Sequence, residues 1–224
     1  MKPHVFYDFD GTLGDSLRAH VRFLHDMNSR FDVGLELPAI DDYETCKRLV
    51  KTPMREFIKN AGFPDNLTKR VLMMYKQTFA HNSRYRYKLF RGIREVLEGL
   101  FDELFYQSVV SSNFLRNFEP VLEREKVDYI LLKKIDRAYL DEHHKGDKAE
   151  CLTSLSERLK LPYNMFVYVG DTEEDFQAAQ KAEVAFVGVG YGWQITPEDT
   201  RFPVAKSPKH LQEILKSFSM KHKF

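Results

Sequence analysis

Cysteine is scarce in this chain. It has two, Cys46 and Cys151, with no close-spaced pair and no metal-binding pattern. That excludes a disulfide framework and fits two free thiols in a reducing compartment. Charge of one sign is missing as well: 34 Lys and Arg stand against 33 Asp and Glu, a formal net charge of +1. No global field therefore favours DNA or an anionic membrane, and any anion binding has to come from local geometry. No basic stripe with interleaved aromatics marks a nucleic-acid surface; the Tyr85-Arg86-Tyr87-Lys88 patch is too short for that. No apolar run approaches membrane-spanning length. Met1-Lys2-Pro3-His4 runs straight into a strand-like segment, leaving no room for a signal peptide, so a cytoplasmic location is expected. Internal repeats and low-complexity tracts are also missing. The basic stretch 216–224 reads as a frayed, solvated terminus.

What is present suits one globular chain of 224 residues, 43% hydrophobic and 30% charged, with 18 Phe and 11 Tyr to supply a core. Short apolar runs at 2–9, 106–110, 165–169 and 184–189 lack clear alternation and end in Gly, Ser or Asp. That is how strands buried on both faces of a parallel sheet read. Helical spacing lies between them, in Val96, Leu97 and Leu100, in Leu152, Leu155 and Leu159, and in Phe176, Ala179 and Ala182. The alternation predicts an α/β core with an open, Rossmann-like parallel sheet, whose reactive groups belong at the carboxyl ends of the strands. Residues 15–87 break the rhythm. Helix-like segments at 16–31, 41–50, 54–61 and 66–87 follow one another, with breaks supplied by Pro38, Pro53, Gly62 and Pro64. The expected organisation is a core of 1–14 and 88–224 with an inserted helical cap of 15–87, placed over the site; an all-helical flank that only packs is the plainer alternative.

Four polar clusters follow these runs. In Asp8-Phe9-Asp10-Gly11-Thr12, two carboxylates two residues apart at a strand end point the same way, and Gly11 lets the chain turn. A surface loop with two repelling acids is the other reading. Ser111-Ser112-Asn113 offers a hydroxyl and backbone N–H groups to a phosphoryl oxygen, or is an ordinary turn or helix cap. Lys148 opens a helix, where a cation is disfavoured by the dipole unless an anion is near; Lys145 competes with it. Gly170-Asp171-Thr172-Glu173-Glu174-Asp175 places Asp171 at a strand end and Asp175 on the next helical turn. Few hard oxygen ligands with room for water and phosphate suit Mg²⁺, although acids also cap a helix N-terminus favourably. The clusters are expected at four successive strand ends, and their joint occurrence in this order is the strong signal.

In that order they resemble the haloacid dehalogenase superfamily, in the branch with a helical cap after the first motif. Asp8 through Leu13 resembles its first motif, Val109-Val110-Ser111 the second, Lys148 the third and Gly170-Asp171 through Asp175 the fourth. The segment from Val187-Gly188-Val189-Gly190-Tyr191-Gly192 to Leu211 is similar to phosphoglycolate-phosphatase-like members. Three departures stand out: Gly14 replaces a branched residue, Lys51 a Gly in the cap, and Arg91 a Pro. Lys51 and Arg91 add positive charge near the site or are solvated surface residues.

The resemblance implies a Mg²⁺-dependent phosphatase acting on a small phosphorylated metabolite, such as phosphoglycolate or a sugar phosphate. It puts Mg²⁺ on the Asp8 carboxylate, the Asp10 backbone carbonyl and Asp171, with Asp175 supporting the ion directly or through water. Lys148 lies beside Asp8 and the phosphoryl oxygens, and Ser111 donates to another oxygen. Thr12, Ser112, Asn113 and Lys51 complete the expected substrate contacts. Asp8 attacks phosphorus to form an aspartyl-phosphate, and Asp10 protonates the leaving oxygen and later deprotonates water. A phosphoglucomutase-like transferase would use the same motifs. A dehalogenase would not need Asp10, and a phosphonate-cleaving enzyme would want a Schiff-base Lys, for which Lys51 is the candidate. A non-catalytic binding module on the same fold would not keep every catalytic group. His143-His144 lacks a partner cluster and reads as a solvated pair. No nucleic-acid or membrane partner is expected, and oligomeric state is not readable.

Overall fold

The computed structural model describes residues 3–160, 162 and 165–220. The chain divides into two compact units, Met1–Gly14 with Leu89–Phe224, and Asp15–Lys88.

The first unit is built on a parallel sheet of six strands, β1 (His4–Tyr7), β2 (Tyr106–Val110), β3 (Leu131–Ile135), β4 (Phe166–Gly170), β5 (Ala185–Val189) and β6 (Val204–Ala205), in the order β3-β2-β1-β4-β5-β6. Every residue of β1, β4 and β5 is buried, as their unalternating apolar sequences predict. The α/β fold with an open sheet is as expected. Tyr7 pairs with Val109 on one side and Val169 on the other. The carboxyl ends of β1, β2 and β4 are therefore level, and Asp8, Ser111 and Asp171 follow them within two residues. Strand order reverses at β1, the topological switch point where open α/β sheets form their crevice.

Helices α5 (Ile93–Asp102), α6 (Leu115–Arg124), α7 (Arg137–His144), α8 (Lys148–Leu159), α9 (Glu173–Lys181) and α10 (Pro208–Met220) complete this unit. Val110, Leu140, Leu152, Phe166, Tyr168 and Phe186 belong to one buried layer between sheet and helices. Two strands escaped the sequence reading. In β3 the sequence Leu-Leu-Lys-Lys-Ile is exposed at its centre, and its register against β2 shifts between Gln107 and Ser108; an irregular edge strand carrying lysines shows no buried-strand signature. The second, β6, has two residues. The structure also corrects the expectation of four strand ends: Lys148 follows no strand but opens α8, after α7.

The second unit holds α1 (Leu17–Arg30), α2 (Tyr43–Lys47), α3 (Met54–Asn60) and α4 (Asp65–Thr78). Two helices are shorter than expected. After Thr78, Asn82 accepts a hydrogen bond from Arg84 N–H and sets a tight turn at Ser83–Tyr85, because Asn side chains compete with helical bonding. The backbone carbonyls of Arg48 and Leu49 accept from the Asn60 side chain instead of continuing α2. An aromatic cluster fills the unit, with His20 stacked on Phe79 at 4.9 Å and Phe79 stacked on Tyr85 at 5.3 Å. Both cysteines are free and buried. Among the described residues no helix is long and apolar enough to cross a membrane. Residues 221–224 of the basic tail, and Lys2 of the first expected strand, lie outside the described residues.

Candidate active site

The turn after β1 is closed by one carbonyl. Phe9 C=O accepts from Thr12 N–H at 3.3 Å, Leu13 N–H at 2.9 Å and Gly14 N–H at 2.7 Å, while Asp8 N–H still reaches Val169 C=O at 2.8 Å. Gly11 sits at φ +83°, and a Cβ there would overlap the Asp171 carboxylate. Glycine is thus required twice over, for its backbone angle and for the close approach of the fourth motif. The turn leaves Asp8 buried and Asp10 partly exposed.

Lys148 is the first residue of α8, whose start is fixed by the Asp147 side chain accepting from Ala149 N–H at 2.7 Å. Its ammonium lies 3.0 Å from Asp8 Oδ1 and 2.7 Å from Asp175 Oδ1, with the side chain 13% exposed. Asp175 is saturated. Its Oδ1 accepts from Lys148 and from the Tyr168 hydroxyl at 2.9 Å, and its Oδ2 from Thr172 Oγ1 at 2.6 Å and Thr172 N–H at 3.2 Å. Thr172 and Asp175 form a capping box at the start of α9. Asp171 accepts from Thr12 Oγ1 at 3.0 Å and from Trp193 N–H at 2.8 Å. Gly192 makes that last bond possible, since a Cβ there would strike Asp171 and the Gly11 carbonyl.

Oxygens of Asp8, Asp171 and Asp175 lie within 4.8 Å of one another, all three residues buried. Burial pushes the Asp8 carboxyl up to about 7; Lys148 opposes that shift, and Asp175 and Asp10 add to it. Burial raises Asp171 well above the carboxylate range, helped by Asp175 and Asp8 and resisted by Trp193 N–H and Thr12. Burial acts on Asp175 in the same direction, but Lys148, Thr172 and Tyr168 outweigh it and hold Asp175 below the ordinary value. Lys148 is desolvated too, yet its two acidic partners keep it firmly charged. One buried ammonium thus faces three buried acids. The pocket is short of positive charge, and its donors are hard carboxylate oxygens, which suits a small divalent cation. Asp8 Oδ2 accepts no hydrogen bond among the described residues, and each Asp171 oxygen takes a single donor. These two acids have coordination capacity to offer. The four donors on Asp175 fill its acceptor sites and make it the residue that aims Lys148.

The remaining sequence candidates divide. Ser111 is buried; its Oγ accepts from Asn113 N–H at 3.1 Å, which leaves the hydroxyl proton to donate. Ser112 is half-buried next to it. The Asn113 side chain donates to Asp10 Oδ2 at 2.6 Å. Thr12, expected at the substrate, is fully buried, and its hydroxyl donates to Asp171 Oδ1. Asp10 contributes no side-chain oxygen to the three-acid group. Lys51 is exposed in the connection between α2 and α3 of the helical unit, and Arg91 is exposed before Gly92. His143 and His144 end α7, where His143 lies 3.8 Å from Glu142. Tyr168, Thr172, Asn117 and the Gly192-Trp193 backbone were given no role of their own from sequence. Only Thr172 carried a readable signal, the Thr-x-x-Asp spacing of its capping box.

Residues 5–189 match the family model described as haloacid dehalogenase-like hydrolase. Among curated proteins, a 5'-nucleotidase of Pseudomonas aeruginosa is 25% identical over 195 residues, covering 85% of this chain and 84% of that protein. A phosphoglycolate phosphatase of Pseudomonas putida is 28% identical over 193 residues, covering 84% and 70%. The crystal structure of a predicted phosphatase from Clostridium acetobutylicum superposes with a TM-score of 0.78 at 21% identity, covering 97% of this chain and 99% of that one, a likeness of fold.

Proposed function

We propose that this chain, which belongs to the haloacid dehalogenase-like hydrolase family, is a phosphatase that hydrolyses small phosphomonoesters through a covalent phosphate on Asp8. The observation that carries the reading is the Lys148 ammonium held between Asp8 and Asp175, beside Asp171, in a buried pocket short of positive charge. Asp8 and Asp171, with the Asp10 main-chain carbonyl that the family resemblance adds, would hold Mg²⁺, which when bound supplies charge neutralisation and orientation of the phosphoryl group.

A phosphomonoester is close to dianionic at neutral pH, and a carboxylate approaching it meets like-charge repulsion. Lys148 offsets that repulsion from a fixed position, where exclusion of water makes its charge count for more. The Asp8 carboxylate attacks phosphorus, forming the aspartyl–phosphorus bond as the bond to the ester oxygen breaks. Asp10, protonated, gives its proton to the departing oxygen. It then takes a proton from water as that water attacks the aspartyl-phosphate, which releases inorganic phosphate and regenerates Asp8. The Ser111 hydroxyl donates to a phosphoryl oxygen.

The names of the relatives suggest where to look: phosphoglycolate and nucleoside monophosphates. The test is a screen of phosphorylated metabolites with and without Mg²⁺, reading inorganic phosphate beside the Asp8→Asn variant. Turnover that needs both the metal and Asp8 is expected. Undiminished phosphate release by freshly purified Asp8→Asn would sink the mechanism, and isomer formation without phosphate release would make the chain a mutase.

A further inference from the structure

Asn113 is tied at every polar atom. Its backbone N–H donates to Ser111 Oγ at 3.1 Å, and its backbone C=O accepts from Arg137 N–H at 2.8 Å. Its side-chain oxygen accepts from Phe114 N–H at 2.8 Å and from Asn117 Nδ2 at 2.7 Å. A backbone N–H can only donate, so the side of the amide facing Phe114 has to be oxygen, and the opposite side has to be the NH₂. That NH₂ faces Asp10, with Nδ2 2.6 Å from Asp10 Oδ2. An amide NH₂ does not accept hydrogen bonds. While this contact is made, Asp10 Oδ2 acts as the acceptor, which favours Oδ1 as the oxygen that carries a proton.

We propose that Asn113, clamped by Asn117, is a positioning residue for Asp10, holding Oδ2 and presenting Oδ1 with its transferable proton to the departing oxygen. This rests on Asp10 being the acid. It takes Asn113 out of the substrate contacts and makes it the support that keeps a partly exposed carboxyl from sampling other rotamers. Asn117, one helical turn further on and 4% exposed, fixes the amide in turn. The arrangement parallels a base that must itself be oriented by a third group to act.

Proton donation matters in proportion to the basicity of the leaving oxygen. Phenyl phosphate expels a far more basic oxygen than p-nitrophenyl phosphate, so loss of an aimed acid falls harder on the former. The ratio kcat/KM isolates this step, because it ends at the first irreversible event, phosphorylation of Asp8. The experiment compares kcat/KM on these two esters, with Mg²⁺ at fixed pH, for wild type, Asn113→Ala, Asn113→Asp and Asp10→Asn. Asn113→Asp keeps an acceptor for Phe114 and Asn117 while replacing the donor that faces Asp10, so it carries the comparison if the alanine variant does not fold. Both Asn113 variants are expected to lose roughly 10-fold more on phenyl than on p-nitrophenyl phosphate, within the range of a general acid. Equal losses on the two esters, with Asp10→Asn still showing the bias, would overturn the proposal and leave the role of Asp10 intact. No bias in Asp10→Asn would remove Asp10 as the acid, and the proposal with it.

Discussion

Replacing Asp8, the proposed nucleophile, should make the metal-free protein more stable. Asp8 is buried, and its carboxyl sits at about 7 in the fold against an ordinary 3.8. Below about pH 4 the group is protonated in both folded and unfolded chains and contributes nothing. Between about pH 4 and 7 the unfolded chain releases the proton and the folded one keeps it, so folding becomes progressively less favourable; above 7 the cost is constant. Three pKa units correspond to about 4 kcal/mol at most, net of the help Lys148 already gives. Asp8→Asn removes this cost: its amide oxygen can still accept from Lys148, which keeps Asp175 as its ionic partner at 2.7 Å. A gain of about 2–4 kcal/mol above pH 7 follows, or a Tm higher by roughly 5–15 °C for a chain of this size. The assay is thermal or urea unfolding of both proteins in EDTA at pH 5 and pH 8. An Asp8→Asn protein no more stable than wild type at pH 8, or equally stabilised at both pH values, would refute the electrostatic account. The expected result would place this enzyme among those whose active site is retained at a cost in stability.

Lys148→Met should act in the opposite direction. Two buried acids at 3.0 and 2.7 Å lose their cation, so stability in EDTA should fall by about 3–5 kcal/mol at pH 8 and by less at pH 5, where Asp8 takes up a proton; chemical denaturation at both pH values checks this. Mg²⁺ at a hundred times its dissociation constant should stabilise the wild type by about 2.7 kcal/mol at pH 8. Protons compete for Asp8 at lower pH, so calorimetry should show the effect shrinking towards pH 5.5 and vanishing in Asp171→Asn. Gly192→Ala forces a methyl group against Asp171 and the Gly11 carbonyl; displacing the acid should cost on the order of 100-fold in kcat and weaken the Mg²⁺ response, while the same substitution at Gly34, where a Cβ meets nothing within 4 Å, should leave turnover alone despite its strained φ.

Legibility followed burial. The strand at 106–110 coincides with β2 residue for residue, and those at 165–169 and 184–189 end within one residue of β4 and β5, because a strand covered on both faces has to be continuously apolar. The edge strand β3 and the two-residue β6 are held by neighbours more than by their own sequence, so they left no local trace. In the helical unit, periodicity located α1, α3 and α4, yet it overran α4 by nine residues, from Thr78 to 87. The apolar residues beyond Thr78 do belong to the core: Phe79, Tyr85 and Tyr87 are buried. They reach it through a turn set by Asn82, which a periodicity argument cannot distinguish from another helical turn.

The site shows the same division at finer scale. Motif spacing picked out the charged residues that the fold brings together, Asp8, Lys148, Asp171 and Asp175, because the residue types that the proposed chemistry needs advertise themselves. It could not find what orients them. Thr12, expected among the substrate contacts, donates to Asp171; Asn113, expected there too, donates to Asp10. Tyr168 was read only as part of a buried strand, yet it supplies one of the four hydrogen bonds on Asp175. Each of these groups is neutral, and its role is set by which strand lies beside it. Thr12 meets Asp171 because β1 and β4 are adjacent and in register, and Asn113 meets Asp10 because β2 flanks β1 on the other side. The sheet order is therefore part of the chemistry: it decides which neutral donor steadies which acid, and a site with the same charged residues on another strand order would lack these supports.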